Sequence, residues 1–180
     1  MKESDLDLQN LSGVPDMSYG WSKLTGEYLA KLAHDNYGLD IVCYRPFSGY
    51  GEDQHETYPF IAILKRIIKG DTPIEIWSNS VRDFVYIEDI VDCVLTTMYK
   101  VHDGSAINIA SGVATSFIEL VKEMLNVVGC AAEVKIVDDK PKGVYYRVGD
   151  PSYVMSLGWF PKTSLQDIIP KCCTFLSGKQ

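Results

Sequence analysis

Four arginines are all the guanidinium this chain carries, and its 17 basic residues are outnumbered by 24 acidic ones, leaving a net charge of -7. Phosphate backbones reward clustered cations, so a nucleic-acid surface is excluded as the main function, and an anionic ligand would need individually placed arginines. Long apolar runs are also lacking, and Met1-Lys2-Glu3-Ser4-Asp5 has no hydrophobic signal segment; the expectation is a cytoplasmic protein. The five cysteines, Cys43, Cys93, Cys130, Cys172 and Cys173, form no CxxC pair and no metal-type spacing, so they read as reduced thiols rather than a disulfide framework. His34, His55 and His102 are dispersed, with no ligand spacing around them, and no metal is expected. What remains is 46% hydrophobic and 23% charged, the profile of a folded domain with material for a core.

Trp21, Leu24, Tyr28, Leu29, Leu32 and Ala33 recur at helical spacing and predict a helix from Asp16 to about Tyr37, capped by Asp16 or Ser18 and closed by Gly38. Leu39 to Arg45 predicts a buried strand stopped by Pro46. A loop from Ser48 to Thr57 follows, leaving a strand's carboxyl end, where α/β proteins commonly build sites. Further helices are predicted over Phe60 to Lys69, Glu88 to Tyr99, Ser116 to Val128, Pro151 to Leu157 and Ser164 to Leu176. Strands are predicted over Ile74 to Trp77, Phe84 to Ile87, Ala106 to Ala110 and Glu133 to Val137. Strands alternating with helices make the class α/β.

Tyr19 and Lys23 stand four apart on the first helix, so their side chains share a face, one turn apart. A free tyrosine, with a reference pKa of ~10, is a poor proton donor or acceptor near neutrality. A neighbouring ammonium favours the phenolate, which makes the pair a usable general acid/base. On spacing alone, a solvated lysine beside a packed tyrosine is the commoner reading. The surrounding motifs decide.

Tyr19-Gly20-Trp21-Ser22-Lys23, Arg45-Pro46-Phe47-Ser48-Gly49-Tyr50-Gly51 and Arg82-Asp83-Phe84-Val85-Tyr86-Ile87-Glu88-Asp89 resemble, in order and spacing, the extended short-chain dehydrogenase/reductase family. The branch is that of the NAD-dependent nucleotide-sugar epimerases and dehydratases. Ala106-Ile107-Asn108-Ile109-Ala110-Ser111-Gly112 and Leu157-Gly158-Trp159-Phe160-Pro161 fit as well, so the resemblance runs from about Asp16 to Leu176. It implies that Tyr19 is the catalytic acid/base at the sugar hydroxyl, that Lys23 assists it and binds the nicotinamide ribose, and that Phe47 lies against the nicotinamide. The implied cofactor is NAD, with NADP open.

For the substrate, a nucleotide-diphosphate sugar, the resemblance implies Arg82 at the diphosphate, where a planar fork engages two phosphate oxygens at once. The competing reading of Arg82 is a surface pair with Asp83 or Glu88. A second cation is expected from the loop holding Lys140 and Arg147, and Arg147 is preferred as the bidentate donor. Ser48 stands where the family usually has Asn; its hydroxyl keeps one donor but lacks the amide's second function. Asp89 and Asn108 read as structural, the first capping or orienting its helix, the second satisfying backbone groups at a strand end. The Lys-Pro-Lys-Gly-Val run before Arg147 and Asp150 is similar to members handling GDP-linked sugars, with uracil and thymine nucleotides equally open.

A glycine-rich phosphate turn opening a helix, which a dinucleotide needs, is missing: Gly49-Tyr50-Gly51 lacks the third glycine. Ser4 and Ser12 lack the Ser-Ser strand-end setting of the family's catalytic hydroxyl. The chain therefore reads as the C-terminal portion of a Rossmann-like doubly wound parallel sheet plus a small α/β substrate-binding subdomain. Residues 16-57 and 88-112 would be sheet remnants, and 58-87 with 113-180 the subdomain. An unpaired sheet edge and the apolar Trp21, Tyr28 and Leu32 predict a homodimer or association with a separate N-terminal half. The alternative function is a non-catalytic module that binds a sugar nucleotide or a protein partner.

Overall fold

The computed structural model describes residues 1–6, 17–137 and 143–178. In chain order the elements are α1 (Met17–Tyr37), β1 (Ile41–Pro46), β2 (Ser48–Tyr50), α2 (Pro59–Lys69), β3 (Ile74–Ile76), β4 (Val81–Arg82), β5 (Phe84–Tyr86) and α3 (Ile87–Thr97). They continue with β6 (Asp103–Ile109), β7 (Thr115–Ser116), α4 (Phe117–Val128), β8 (Val134–Ile136), β9 (Tyr146–Arg147), α5 (Ser152–Ser156) and α6 (Leu165–Gly178). Among the described residues, no helix is long and apolar enough to cross a membrane.

The long helix stops for a local reason: Gly38 takes φ +66° and its N–H bonds the His34 carbonyl at 2.8 Å, a left-handed stop that a β-carbon disfavours. Its predicted caps fare differently. Ser18 lies inside the first turn of α1, and Asp16 is outside the described residues. At α4 the predicted start, Ser116, is the cap, with its hydroxyl accepting from the Glu119 N–H at 3.3 Å and the Glu119 carboxylate accepting from the Ser116 N–H at 2.8 Å, a reciprocal capping box.

Parallel pairs join β1 to β6, β2 to β5, and β3 to β8. In the fourth sheet β4 pairs antiparallel with β7 and parallel with β9. Parallel strands need crossover connections, which the intervening helices provide. The expected loop from Ser48 onward begins instead as strand β2, because Ser48 lies in register with Phe84 of β5. Three strands of two residues each, β4, β7 and β9, are too short to show any hydrophobic period.

Two cores hold these pieces. One gathers Tyr50, Phe60, Leu64, Ile74, Leu120, Met124 and Ile168 between α2, α4 and α6. The other gathers Val85, Cys93, Ile107, Ile109, Val154 and Trp159 beneath β6. Each fully buried side chain of this size contributes roughly 1.5–3 kcal/mol. Of the two readings of Asp89, capping or orienting its helix, the structure shows the second. Its carboxylate accepts from the N–H groups of Lys162 and Thr163 at 3.2 and 2.9 Å, tying α3 to the segment that leads into α6. Asn108 is buried, its side-chain amide donating to the Met1 carbonyl at 3.4 Å and its N–H to the Glu3 carboxylate at 2.9 Å.

Two contacts place α1 on the β1–β6 pair. Gly104 lets the helix approach: it has φ +75°, and a β-carbon there would lie 2.9 Å from the Lys31 Cα. Arg45 then pins the helix, its Nε and Nη2 donating to the two Glu27 carboxylate oxygens at 2.8 and 2.6 Å. Gly104→Ala is expected to destabilise the fold by about 1–3 kcal/mol, through strain at a left-handed residue and displacement of α1. Arg45→Met should cost about 1–2 kcal/mol by leaving a half-buried carboxylate unpaired, and adding Glu27→Gln should recover part of that loss. Denaturant midpoints of the three variants check both expectations.

Candidate active site

Helix α1 presents Tyr19 and Lys23 to a cleft of about 680 Å³, whose walls also include Phe47, Ser48, Arg82 and Arg147. Six residues spread over nearly 130 positions thus line one cavity. The seventh residue singled out in the sequence, Lys140, lies outside the described residues.

Tyr19 is 72% exposed, and the Lys23 ammonium sits 5.5 Å from the centre of its ring. Lysine and glutamate four apart on a helix ordinarily pair, and Glu27 stands four beyond Lys23. Here Arg45 occupies both carboxylate oxygens of Glu27. Among the described residues, Lys23 forms no ion pair, and its charge is left to the tyrosine. Arg45, prominent in the sequence only as part of a motif, therefore shapes the site indirectly. Helical spacing alone already hinted at this, since 19, 23 and 27 share one stripe.

Phe47 and Ser48 are fixed by their backbones. The Phe47 N–H donates to the Ile109 carbonyl at 3.1 Å and the Ser48 N–H to the Asp83 carbonyl at 2.9 Å. Gly149 packs against the Phe47 ring so closely that a β-carbon would come within 2.9 Å of it. Among the described residues the Ser48 hydroxyl has no hydrogen-bond partner, which leaves it free for a ligand.

Arg82 and Arg147 are direct register partners on the parallel strands β4 and β9, so their side chains leave the same face of that sheet. The Arg82 guanidinium donates to the Val81 and Tyr145 carbonyls at 2.8 and 3.4 Å and lies 5.9 Å from the Phe117 ring centre. Burial, and then repulsion from Arg147, lower its pKa from the ordinary arginine value. The surface pair with Asp83 or Glu88 does not form: among the described residues no carboxylate meets Arg82. Among the described residues no carboxylate is paired with either guanidinium, an arrangement that suits an anion inside a chain of net negative charge.

One residue of the site was misread in the sequence. Asp83, weighed there only as a surface partner for Arg82, is completely buried. The available signal was parity: on extended backbone the neighbour of a cleft-facing arginine points to the opposite, core side. Among the described residues no group of three or more His, Cys, Asp or Glu side chains could hold a metal ion.

Comparison with known proteins bears on the fold and the family. The model of the NAD dependent epimerase/dehydratase family matches residues 2–110. A putative UDP-glucose 4-epimerase of Methanocaldococcus jannaschii is 30% identical over 168 residues, covering 90% of this chain and 54% of the relative. A GDP-L-fucose synthase of Sinorhizobium fredii is 28% identical over 158 residues, covering 82% of this chain and 50% of the relative. Among solved structures, the UDP-glucose 4-epimerase of Thermotoga maritima with UDP-glucose superposes with a TM-score of 0.80 at 26% identity, over 94% of this chain and 59% of that one. The chain spans about half the length of the curated relatives it matches. With the family model covering more than half of its residues, this chain belongs to the NAD dependent epimerase/dehydratase family.

Proposed function

We propose that this chain supplies the acid/base pair and the sugar-nucleotide site of an NAD-dependent nucleotide-sugar epimerase or dehydratase. The observation that carries the reading is the shared cleft, which has Tyr19 and Lys23 on one wall and Arg82 and Arg147 on another. Nucleotide-linked sugars named in relatives, UDP-glucose and GDP-L-fucose among them, have this layout: a diphosphate anion joined to a sugar ring. In the proposed mode the two guanidiniums grip the diphosphate, the Ser48 hydroxyl donates one hydrogen bond beside it, and the ring reaches Tyr19. The phenolate form of Tyr19 takes the proton of a ring hydroxyl, and the Lys23 ammonium balances the negative charge while Tyr19 is ionised.

The cofactor fits at one end only. Tyr19, Lys23 and Phe47 line the cleft together, as the nicotinamide and its ribose require. Among the described residues no phosphate cradle accompanies them: α2, α3 and α4 open behind Tyr58, Tyr86 and Ser116, without the glycine-rich strand-to-helix turn that receives a pyrophosphate. When bound, a nicotinamide would supply the redox chemistry that oxidises and reduces the sugar carbon. Holding its pyrophosphate is assigned to residues other than those described. For the chain alone, the same lack of a cradle favours a module that binds sugar nucleotides without turnover.

A docking surface for a partner chain is proposed along α1 and β1. Trp21, Tyr28 and Leu29 are exposed on α1, whereas Leu32 is half-buried and contributes less than the sequence suggested. Among the described residues β1 pairs with β6 alone, so its other edge is open to a strand. Light scattering at high concentration should show self-association, or a complex when an N-terminal half is supplied. A well-folded monomer under both conditions would contradict this surface.

In a reconstituted enzyme, Tyr19→Phe should lower turnover by about 10²–10⁴-fold while leaving the affinity for the nucleotide-sugar nearly unchanged. Steady-state kinetics together with a binding titration separate the two effects, and undiminished turnover would refute the role of Tyr19.

A further inference from the structure

We propose that Asp83 is the positioning residue of the anion site, its buried carboxylate holding the Arg147 strand beside Arg82 against the repulsion between the two guanidiniums. The proposal rests on the reading of Arg82 and Arg147 as the diphosphate cations.

The geometry concentrates on this one side chain. Asp83 is 0% exposed. One carboxylate oxygen accepts from the Ser111 N–H at 2.8 Å and the Ser111 hydroxyl at 2.6 Å. The other accepts from the Gly112 N–H at 2.9 Å and the Gly149 N–H at 3.2 Å. Its backbone completes the junction, the N–H donating to the Arg147 carbonyl at 3.2 Å and the carbonyl accepting from the Ser48 N–H at 2.9 Å. A single residue thus touches β2 at Ser48, adjoins Arg82 in sequence, and bonds to the Arg147 segment at two points.

That concentration answers a specific need. Strand β9 is two residues long, and Tyr146 and Arg147 are exposed, so little apolar burial holds it in place. Arg147 also raises the electrostatic cost of the neighbouring Arg82 charge, which pushes the two strands apart. The bonds to the Arg147 carbonyl and the Gly149 N–H oppose that push. They also draw Gly149 against Phe47 and Ala110, where a β-carbon would overlap Ala110 and lie 2.9 Å from the Phe47 ring. Among the described residues Asp83 has no cationic partner, and its charge is borne by four donors instead. A buried carboxylate tolerates this only while every donor stays in place. Tight geometry at β9 is therefore built into the fold.

Asp83→Asn keeps the shape but turns an amide NH₂ toward N–H donors. The test is calorimetric titration of the full chain with UDP-glucose, dTDP-glucose and GDP-mannose, using the tightest of the three for wild type, Arg82→Met, Arg147→Met, Asp83→Asn and the Asp83→Asn/Arg147→Met double variant. Asp83→Asn is expected to weaken binding by about tenfold or more, yet to add less than about threefold once Arg147 is already gone, because the clamp acts through Arg147. Ser111→Ala, which removes one of the four donors, should give a smaller loss of the same kind and covers the case in which Asp83→Asn fails to fold. Wild-type affinity in both Asp83→Asn and Ser111→Ala would overturn the inference while leaving the cation site standing. An undiminished loss in the double variant would also overturn it, marking a general structural role. If no probe binds wild type, or if Arg82→Met and Arg147→Met bind as wild type does, the underlying reading of the site falls and the inference falls with it.

Discussion

Parallel pairing is the constraint on which the rest of this chain depends. Two parallel strands cannot be joined by a tight turn, so each pair forces a long excursion between its members. The register of those pairs then decides which distant residues become neighbours. Arg45 meets Asn108, Ser48 meets Phe84, and Arg82 meets Arg147. Every one of these juxtapositions falls on the cleft wall or directly behind it. The helices that make the crossovers pack into two separate cores, one under the β1–β6 pair and one among α2, α4 and α6. The cleft lies where the strands of the two regions approach each other.

Electrostatics sets apart the two ends of the cleft. A chain of net charge -7 repels anions at long range, so an anionic ligand must be captured by short-range, directional contacts. The fold arranges its few arginines accordingly. Arg45 is consumed by Glu27, which leaves Lys23 unpaired among the described residues, while Arg82 and Arg147 face the cavity together. The chain thereby places two kinds of positive charge along one cleft: an ammonium beside a phenol, and a pair of guanidiniums whose planar donors suit phosphates.

Much of this was legible in the sequence because it is local. The period of α1, its Gly38 stop and the start of α4 at Ser116 depend on residues within a few positions of one another. The alternation of strands and helices, together with the ordered motifs, gave the α/β class and the family. The six described candidate residues, Tyr19, Lys23, Phe47, Ser48, Arg82 and Arg147, lie along a single cavity. What escaped is non-local. Strands of two residues carry no period, and only pairing across the sheet defines them. Asp83 finds its donors 28, 29 and 66 positions away, so parity beside Arg82 could mark it as inward-facing but could not name its partners. Asp89 was read as structural, but its partners lie 73 and 74 positions downstream, so which segment it ties to its helix was not legible.

The central proposal is that this chain holds the sugar-nucleotide and acid/base part of the site, with no dinucleotide cradle among its described residues. Ligand-observed saturation-transfer NMR on the isolated chain, with NAD and nucleotide-sugars titrated separately, tests it most directly. The account predicts saturation transfer to the diphosphate-proximal protons of a nucleotide-sugar, abolished in an Arg82→Met/Arg147→Met variant, and none to NAD under the same conditions. Tight binding of NAD, with no transfer to any nucleotide-sugar, would contradict it.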